Sequence, residues 1–121
     1  MLCLCCAVEM SAQKTVSLRV MSMNIRQGGE YAGNRSEPYS ELINKYKPDV
    51  VALQEVDYKT TRNGKRDWLN EVAMQTGMFP YFCKSISYQG GGFGTALLSK
   101  YPFYKCEKTI FSHKDTREDR A

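Results

Sequence analysis

Apolar residues in the first half of the chain follow two different periods, which together predict a strand–helix–strand unit. Residues 16–23 are mostly apolar and predict a strand that ends at Asn24. After a glycine-rich turn segment, Ser36 is a predicted helix cap. Pro48 ends that helix, and residues 49–53 predict a central strand buried on both faces. The apolar residues of the helix recur at the spacing of one buried face: Tyr39, Leu42, Ile43 and Tyr46.

The strand–helix–strand order places polar residues together at one edge of the predicted sheet. It implies a right-handed crossover that joins two parallel strands. Asn24 follows the first strand, and Gln54 and Glu55 follow the second. Because parallel strands share an edge at their carboxyl ends, these side chains are expected to lie close together. Ligands bind at this edge in open α/β sheets.

The second half of the chain predicts a basic loop, a second helix and a hairpin. Residues 57–67 form a polar loop, and Asp67 caps a helix that stops at Gly77. Residues 81–87 and 93–99 predict a β-hairpin around the glycines at 90–92, and residues 104–111 predict one more strand. The basic residues of the loop are Lys59, Arg62, Lys65 and Arg66, and the apolar face of the second helix is Trp68, Leu69, Val72 and Ala73.

Composition places the chain among ordinary globular domains. Its 121 residues fit one domain or part of one, and 42% of them are hydrophobic and 25% charged, which excludes a disordered tail or a fibrous repeat. No apolar run approaches the roughly 20 residues of a membrane-spanning helix. The net charge of +4 mildly favours anionic partners but does not by itself indicate nucleic acid.

The two ends of the chain leave alternatives open. Residues 1–8 are apolar, and small residues near position 12 are consistent with a clipped signal peptide over residues 1–12; a native extension or a first strand is the other interpretation. A signal peptide would make the protein secreted or periplasmic, and otherwise it is expected to be cytoplasmic. In an exported protein Cys83 and Cys106 could pair as a disulfide; the other interpretation is two buried thiols. The polar residues 112–119 indicate a connection to a further element.

Glu55 is the residue whose position asks most for an explanation. A carboxylate that ends an apolar strand loses hydration free energy unless it has a partner. The partner is either a structural ion pair or helix-cap contact, or a bound cation. Oxygen ligands from Glu55 and Asn24 suit a hard ion such as Mg²⁺ or Mn²⁺. The spacing alone leaves both possibilities open.

Three segments of the sequence resemble a known family. Residues 18–25, Leu-Arg-Val-Met-Ser-Met-Asn-Ile, are similar to its opening strand, and residues 48–56, Pro-Asp-Val-Val-Ala-Leu-Gln-Glu-Val, to its second. Residues 92–102, Gly-Phe-Gly-Thr-Ala-Leu-Leu-Ser-Lys-Tyr-Pro, resemble its glycine-led strand before a proline. The family is the endonuclease/exonuclease/phosphatase superfamily, whose fold is that of deoxyribonuclease I and exonuclease III. The resemblance covers nearly all of residues 16–121.

The resemblance implies a fold and a chemistry. The implied fold is α/β (α+β), a two-sheet β-sandwich flanked by helices, of which residues 13–121 would be the N-terminal half of the four-layer arrangement. The implied chemistry is metal-assisted hydrolysis of a phosphoester by attack of an activated water. Glu55 matches the metal-binding glutamate of the family, and Asn24 matches the asparagine beside the metal. Mg²⁺ or Mn²⁺ is the implied cofactor.

The sequence departs from the family pattern after residue 111. A histidine-bearing strand, an Asp-x-Asn motif and a terminal Asp-His pair are expected there and are not found, and His113 lies in the polar connection instead. A site without a general base is expected to hydrolyse almost nothing, so residues 1–121 alone are predicted to be inactive.

Further site residues and function classes follow from this resemblance. Arg62 and Arg120 are candidate substrate contacts, with a solvated loop as the plainer interpretation of each. The substrate class is open among nucleic acid, a phospholipid headgroup and a small phosphodiester, and no obligate protein partner is identifiable. Two alternatives to an enzyme are a catalytically inactive binding module and a truncated gene remnant.

Overall fold

The computed structural model describes residues 15–111 and shows a mixed α/β fold. The predicted signal peptide, Arg120, His113 and the polar run at 112–119 lie outside the described residues. The described elements follow one another as β1 Val20–Asn24, α1 Arg26–Gly29, a 3₁₀ turn Glu30–Ala32, α2 Glu37–Tyr46, β2 Val50–Tyr58, α3 Trp68–Thr76, β3 Phe79–Tyr88 and β4 Gly91–Ser99.

The four strands form one sheet in the order β1-β2-β4-β3. β1 and β2 are parallel, with Val20 opposite Val50 and Asn24 opposite Gln54, as the crossover prediction requires. β4 is antiparallel to β2 and to β3, which confirms the predicted hairpin. The described residues therefore supply a single sheet, and the second sheet of the implied sandwich is not found among residues 15–111.

α2 and α3 pack against each other and cover one face of the sheet. The core lies between these helices and the sheet. Its most buried residues, each at most 2% exposed, include Trp68, Ile43, Val51, Leu53 and Leu98. Side chains of the opposite face are more exposed: Ala52 is half-buried, and Leu97 and Val20 are exposed. The prediction that the second strand is buried on both faces is therefore wrong, because within residues 15–111 helices cover only one of them.

The first long helix agrees with its predicted range but presents a narrower face. Tyr39 and Ile43 pack toward the core, whereas Leu42 and Tyr46 are 38% and 50% exposed. Ser40 is buried instead, where its hydroxyl contacts the side chain of Gln75 on α3. The spacing of apolar residues therefore predicts a wider buried face than the structure has, because α2 packs mainly against one neighbouring helix, α3.

The ends of the two helices show one cap that forms and one that does not. Asp67 caps α3 as predicted, since its carboxylate accepts a 3.2 Å hydrogen bond from the backbone N–H of Asn70. Gly77 ends that helix in a left-handed conformation. Ser36 precedes α2 but makes no side-chain cap; its hydroxyl donates to Glu71 on α3 at 3.0 Å.

The strand predicted at 104–111 is not formed. Residues 102–110 adopt no regular structure, and Phe111 takes part in an isolated bridge only. The segment is tied down by the ring of Phe103 against Tyr81 and by the ammonium of Lys108, which donates to the carbonyl of Lys84. The segment forms no strand although β1 and β3 are open edges of the sheet within residues 15–111.

Two smaller expectations are also settled. Cys83 and Cys106 are both free thiols, the first half-buried and the second exposed, so neither the disulfide nor the pair of buried thiols is present. Between residues 15 and 111 no helix combines the length and the apolar character needed to cross a membrane.

Candidate functional site

The site begins with a hydrogen bond that joins the ends of the two parallel strands. The side-chain amide of Asn24 donates to Oε1 of Glu55 at 2.9 Å. The amide oxygen of Asn24 accepts the backbone N–H of Arg26 at 2.8 Å, which fixes the orientation of the Asn24 side chain. The crossover thus brings together the two residues that the sequence placed at this edge. No hydrogen bond to Oε2 of Glu55 is found within residues 15–111.

Glu55 occupies a β-bulge rather than a regular strand position. Leu53 lies opposite Ala96 and Val56 lies opposite Gly94, so Gln54 and Glu55 together face a single residue of β4. Glu55 has a φ of 59°, a left-handed conformation that is uncommon for any residue with a Cβ. Such a residue costs about 1 kcal/mol or more and clusters at functional sites. Nothing in the local sequence indicates this bulge.

A second bulge lies on the other side of β4. Lys84 of β3 is opposite Gly94 and Ile86 is opposite Phe93, so Ser85 is the extra residue. A Cβ on Gly94 would lie 2.1 Å from the carbonyl oxygen of Cys83, which no real Cβ tolerates. Glycine at position 94 therefore permits the close approach of β3 that forms this bulge. Bulges beside active sites commonly redirect a side chain.

The two bulges border one open depression of about 230 Å³. Its volume suits a small anionic group rather than a large apolar ligand. Glu55 is the one carboxylate among the described residues that line the depression. Within residues 15–111 no group of three or more histidine, cysteine, aspartate or glutamate side chains is placed to hold a metal ion. The lining residues are Asn24, Gln54, Glu55, Ser85, Phe93, Gly94 and Thr95.

Arg62 lies over the ring of Phe93, which lines this depression, and is held there by a buried carboxylate. Asp57 is fully buried, and its two oxygens accept hydrogen bonds from Nε and Nη2 of Arg62 at 2.7 and 2.8 Å. The hydroxyl of Thr60 donates to the same carboxylate at 2.9 Å. These bonds raise the pKa of Arg62 above its ordinary value, and the charge of Glu55 contributes in the same direction. The guanidinium is therefore a fixed positive charge near Glu55.

Aromatic rings and backbone contacts complete the surroundings of Arg62. Its guanidinium carbon lies 4.6 Å from the ring centre of Tyr88 and 5.4 Å from that of Phe93. Nη1 donates to the side chain of Gln27 at 3.1 Å, and the backbone N–H donates to Oε1 of Gln89 at 2.9 Å. Within residues 15–111 these side-chain bonds use three of the five guanidinium N–H groups. The other two are available to a further acceptor within the described part of the chain.

The sequence does not indicate Asp57 as a site residue, and it groups into one loop basic residues that the structure separates. Asp57 was assigned to the polar loop, but β2 continues through it, paired with Phe93. Gly28 makes room for it, because a Cβ there would lie 2.8 Å from the Cβ of Asp57. Arg66 is directed away from Arg62, toward Glu71 and the carbonyl of Asn34. The predicted basic loop is thus not one cationic surface.

A second arginine near the site also had no sequence signal. Arg26 follows β1 with a φ of 48°, and its guanidinium makes a 3.0 Å ion pair with Glu30 and lies over the ring of Tyr31. Its pKa is raised, first by the hydrogen bond to the Tyr31 hydroxyl, then by Glu30, and to a smaller extent by Glu55. The side chain of Arg26 is about half exposed, whereas that of Arg62 is 25% exposed.

Comparisons with known proteins agree with the fold and give the family. The sequence profile of the Endonuclease/Exonuclease/phosphatase family matches residues 21–121. None of the curated protein sequences compared matches the chain. The crystal structure of an endonuclease/exonuclease/phosphatase from Beutenbergia cavernae DSM 12333 is similar with a TM-score of 0.55 and 20% identity, over 74% of this chain and 27% of that one. The chain thus spans about a quarter of the length of that protein. Since the family profile covers most of its residues, the chain belongs to the endonuclease/exonuclease/phosphatase family.

Proposed function

We propose that this chain supplies the glutamate-bearing wall of a metal-dependent phosphoester hydrolase site. Its family is hydrolytic and acts on phosphoesters. The observation that carries the proposal is the contact of Asn24 with Glu55, at the strand edge where ligands bind in α/β sheets. Asn24 holds one carboxylate oxygen, and Oε2 of Glu55 remains available to a cation.

The donor set of the depression suits a hard divalent ion. Mg²⁺ is commonly bound by one or two carboxylates together with waters and substrate phosphate oxygens. Glu55 on β2 would be the protein ligand, and Asn24 at the end of β1 would orient it. Asn24 itself is less suited to direct ligation, because its oxygen accepts the N–H of Arg26. When bound, Mg²⁺ or Mn²⁺ would supply positive charge that stabilises the phosphate and polarises a water.

Arg62 supports recognition of the anionic substrate. It remains charged at any physiological pH, it is immobilised by Asp57, and two of its N–H groups are available. Preorganised donors of this kind stabilise developing negative charge more effectively than mobile ones. We propose that the guanidinium of Arg62 binds the reacting phosphate of the substrate or a phosphate adjacent to it. Arg120 stays a proposed substrate contact and lies outside the described residues.

The substrate class remains a proposal among three phosphoesters: nucleic acid, a phospholipid headgroup and a small phosphodiester. The net charge of +4 is compatible with each. A secreted or periplasmic location remains a proposal that depends on the interpretation of residues 1–12.

The test measures Mn²⁺ binding to the 121-residue chain by electron paramagnetic resonance of the free ion. Glu55→Gln should reduce the affinity for Mn²⁺ at least tenfold, because it removes the ligating charge. Glu41→Gln is the matched control, since Glu41 is exposed on α2, away from the depression. Equal loss of binding in both variants, or none in Glu55→Gln, would contradict the proposal. A chain that binds Mn²⁺ and phosphate but contributes to no hydrolysis would instead support an inactive binding module.

A further inference from the structure

β3 contains a bulge on the other side of β4 from the bulge that carries Glu55. Cys83 lies opposite Thr95 and Lys84 opposite Gly94, but Ile86 is opposite Phe93, so Ser85 has no partner residue on β4. The backbone N–H of Ser85 would lie only 2.7 Å from a Cβ on Gly94. This bulge is therefore compatible with glycine at position 94 and with little else.

The bulge places Ser85 in the lining of the depression that contains Glu55. Ser85 is half-buried there, whereas Lys84 and Ser87 on the same strand are exposed. No hydrogen bond of the Ser85 hydroxyl is found among the residues that the structure describes. A half-buried hydroxyl without a partner is able to donate to a ligand in the depression.

The position of Ser85 across the sheet complements that of Asn24. β1, β2, β4 and β3 are neighbours in that order, so Asn24 and Ser85 border the depression from its two ends, with Glu55 between them. Glu55 and Ser85 are two strand spacings apart, which is about 10 Å. This separation leaves room for a phosphate-sized group between the two side chains. Phe93 covers the depression on the side of Arg62.

We propose that Ser85 is a substrate-contacting residue whose hydroxyl donates a hydrogen bond to a non-bridging oxygen of the phosphoryl group held at Glu55. The inference rests on the proposed function and adds a residue from β3 to it. Ser85 already lines the depression, so its hydroxyl is placed to donate to an acceptor oxygen there. A hydrogen bond to a charged phosphate is worth more than one between neutral groups.

The test uses dimethyl phosphate as the probe and the 121-residue chain saturated with Mg²⁺. Binding is followed by nuclear magnetic resonance titration of the backbone amides, which also reports whether each variant keeps its fold. Ser85→Ala should weaken binding of dimethyl phosphate about tenfold while the affinity for Mg²⁺ stays unchanged. Ser85→Thr retains a hydroxyl and should recover most of that loss. Ser87→Ala is the matched control on the same strand and should bind the probe as the unaltered chain does.

The outcomes separate this inference from the proposed function. If the unaltered chain binds Mg²⁺ and dimethyl phosphate but Ser85→Ala binds them equally well, the role of Ser85 is overturned and the proposed function stands. If the unaltered chain binds neither, the proposed function fails and the role of Ser85 fails with it. A loss of Mg²⁺ affinity in Ser85→Ala would also overturn the inference, because it would indicate a contact with the cation or a change in the site itself.

Discussion

The side chain of Asn24 donates a 2.9 Å hydrogen bond to Glu55 across the only parallel strand pair found within residues 15–111. The bond links the last residue of β1 to a bulge residue of β2, so the geometry of each depends on the other. A carboxylate held in this way presents its second oxygen in a defined direction. Partners of metal ligands typically contribute 10-fold to 100-fold to metal affinity.

Replacement of Asn24 should therefore weaken divalent-cation binding without unfolding the protein. We expect Asn24→Ala to lower the affinity for Mn²⁺ about tenfold, since Glu55 loses the group that orients it. Asn44→Ala, on the exposed surface of α2, is the control and should leave the affinity unchanged. Electron paramagnetic resonance of free Mn²⁺ measures both. An unchanged affinity in Asn24→Ala would show that Glu55 is oriented by other contacts.

The ion pair of Asp57 with Arg62 should be a major source of stability. Asp57→Ala should lower the free energy of unfolding by about 3 kcal/mol, because it leaves a partly buried guanidinium without its carboxylate. The comparison is Asp49→Ala, which removes a surface pair with Lys100 and a backbone hydrogen bond from Arg19. That change should cost clearly less, because the pair of Asp49 with Lys100 lies at the surface and is screened by solvent. Urea unfolding measures both, and similar losses would show that burial of Asp57 adds nothing.

Glycine at position 94 should be required by the bulge in β3. Gly94→Ala would place a Cβ 2.1 Å from the carbonyl of Cys83, so β3 must shift or separate. We expect a loss of at least 3 kcal/mol in unfolding free energy, measured by thermal or urea denaturation. Gly33→Ala is the control: its φ is 62°, but no atom lies within 4 Å of the added Cβ, so a loss of about 1 kcal/mol is expected. A smaller loss for Gly94→Ala than for Gly33→Ala would contradict the packing described.

The stabilisation that Glu71 provides at neutral pH should be lost in acid. The ion pair with Arg66 and the hydrogen bond from Ser36 lower the pKa of Glu71 below its ordinary value, against a smaller opposing effect of burial. A lowered pKa in the folded state means that the stabilisation is present above the unfolded-state pKa and is lost as the pH falls through the folded-state pKa. Glu71→Gln should therefore be less stable than the unaltered chain at pH 7, by up to about 1 kcal/mol.

The same difference should shrink as the pH falls through and below the usual carboxylate range. Urea unfolding of both proteins between pH 7 and pH 3 measures it. Glu37→Gln, which removes a carboxylate in the first turn of α2, is the matched comparison. A difference between Glu71→Gln and the unaltered chain that stayed constant with pH would show that the contribution of Glu71 is not ionic.

The edge at the carboxyl ends of β1 and β2 was predictable because it depends on local features of the sequence. The spacing of apolar residues, the prolines and glycines at element ends and the rule for parallel crossovers place Asn24 and Glu55 together. The register of β1 with β2 places Asn24 opposite Gln54, next to Glu55 in the chain. The cap of α3 by Asp67 was predictable for the same reason.

The details that shape the site were not predictable, because they depend on contacts between distant segments. Glu55 adopts a positive φ only because the register of β2 with β4 shifts there. Asp57 resembles the start of a loop until Arg62, Thr60 and the missing Cβ of Gly28 are placed around it. The predicted strand at 104–111 is wrong for a similar reason, since the segment contacts the open edge strand β3 through the Phe103 ring and the Lys108 ammonium and not through a backbone ladder.

The order of the strands has a consequence for how the protein folds. Tyr88 pairs with Gly91 across a tight turn, whereas Val20 pairs with Val50 only after the chain has closed a loop that contains α2. A tenfold longer loop costs about 2 kcal/mol more in closure entropy. We therefore expect the hairpin to form early, before β2 pairs with β4 and with β1, because both of those pairings close long loops. The bulge at Ser85 would then form before Glu55 receives its partner Asn24.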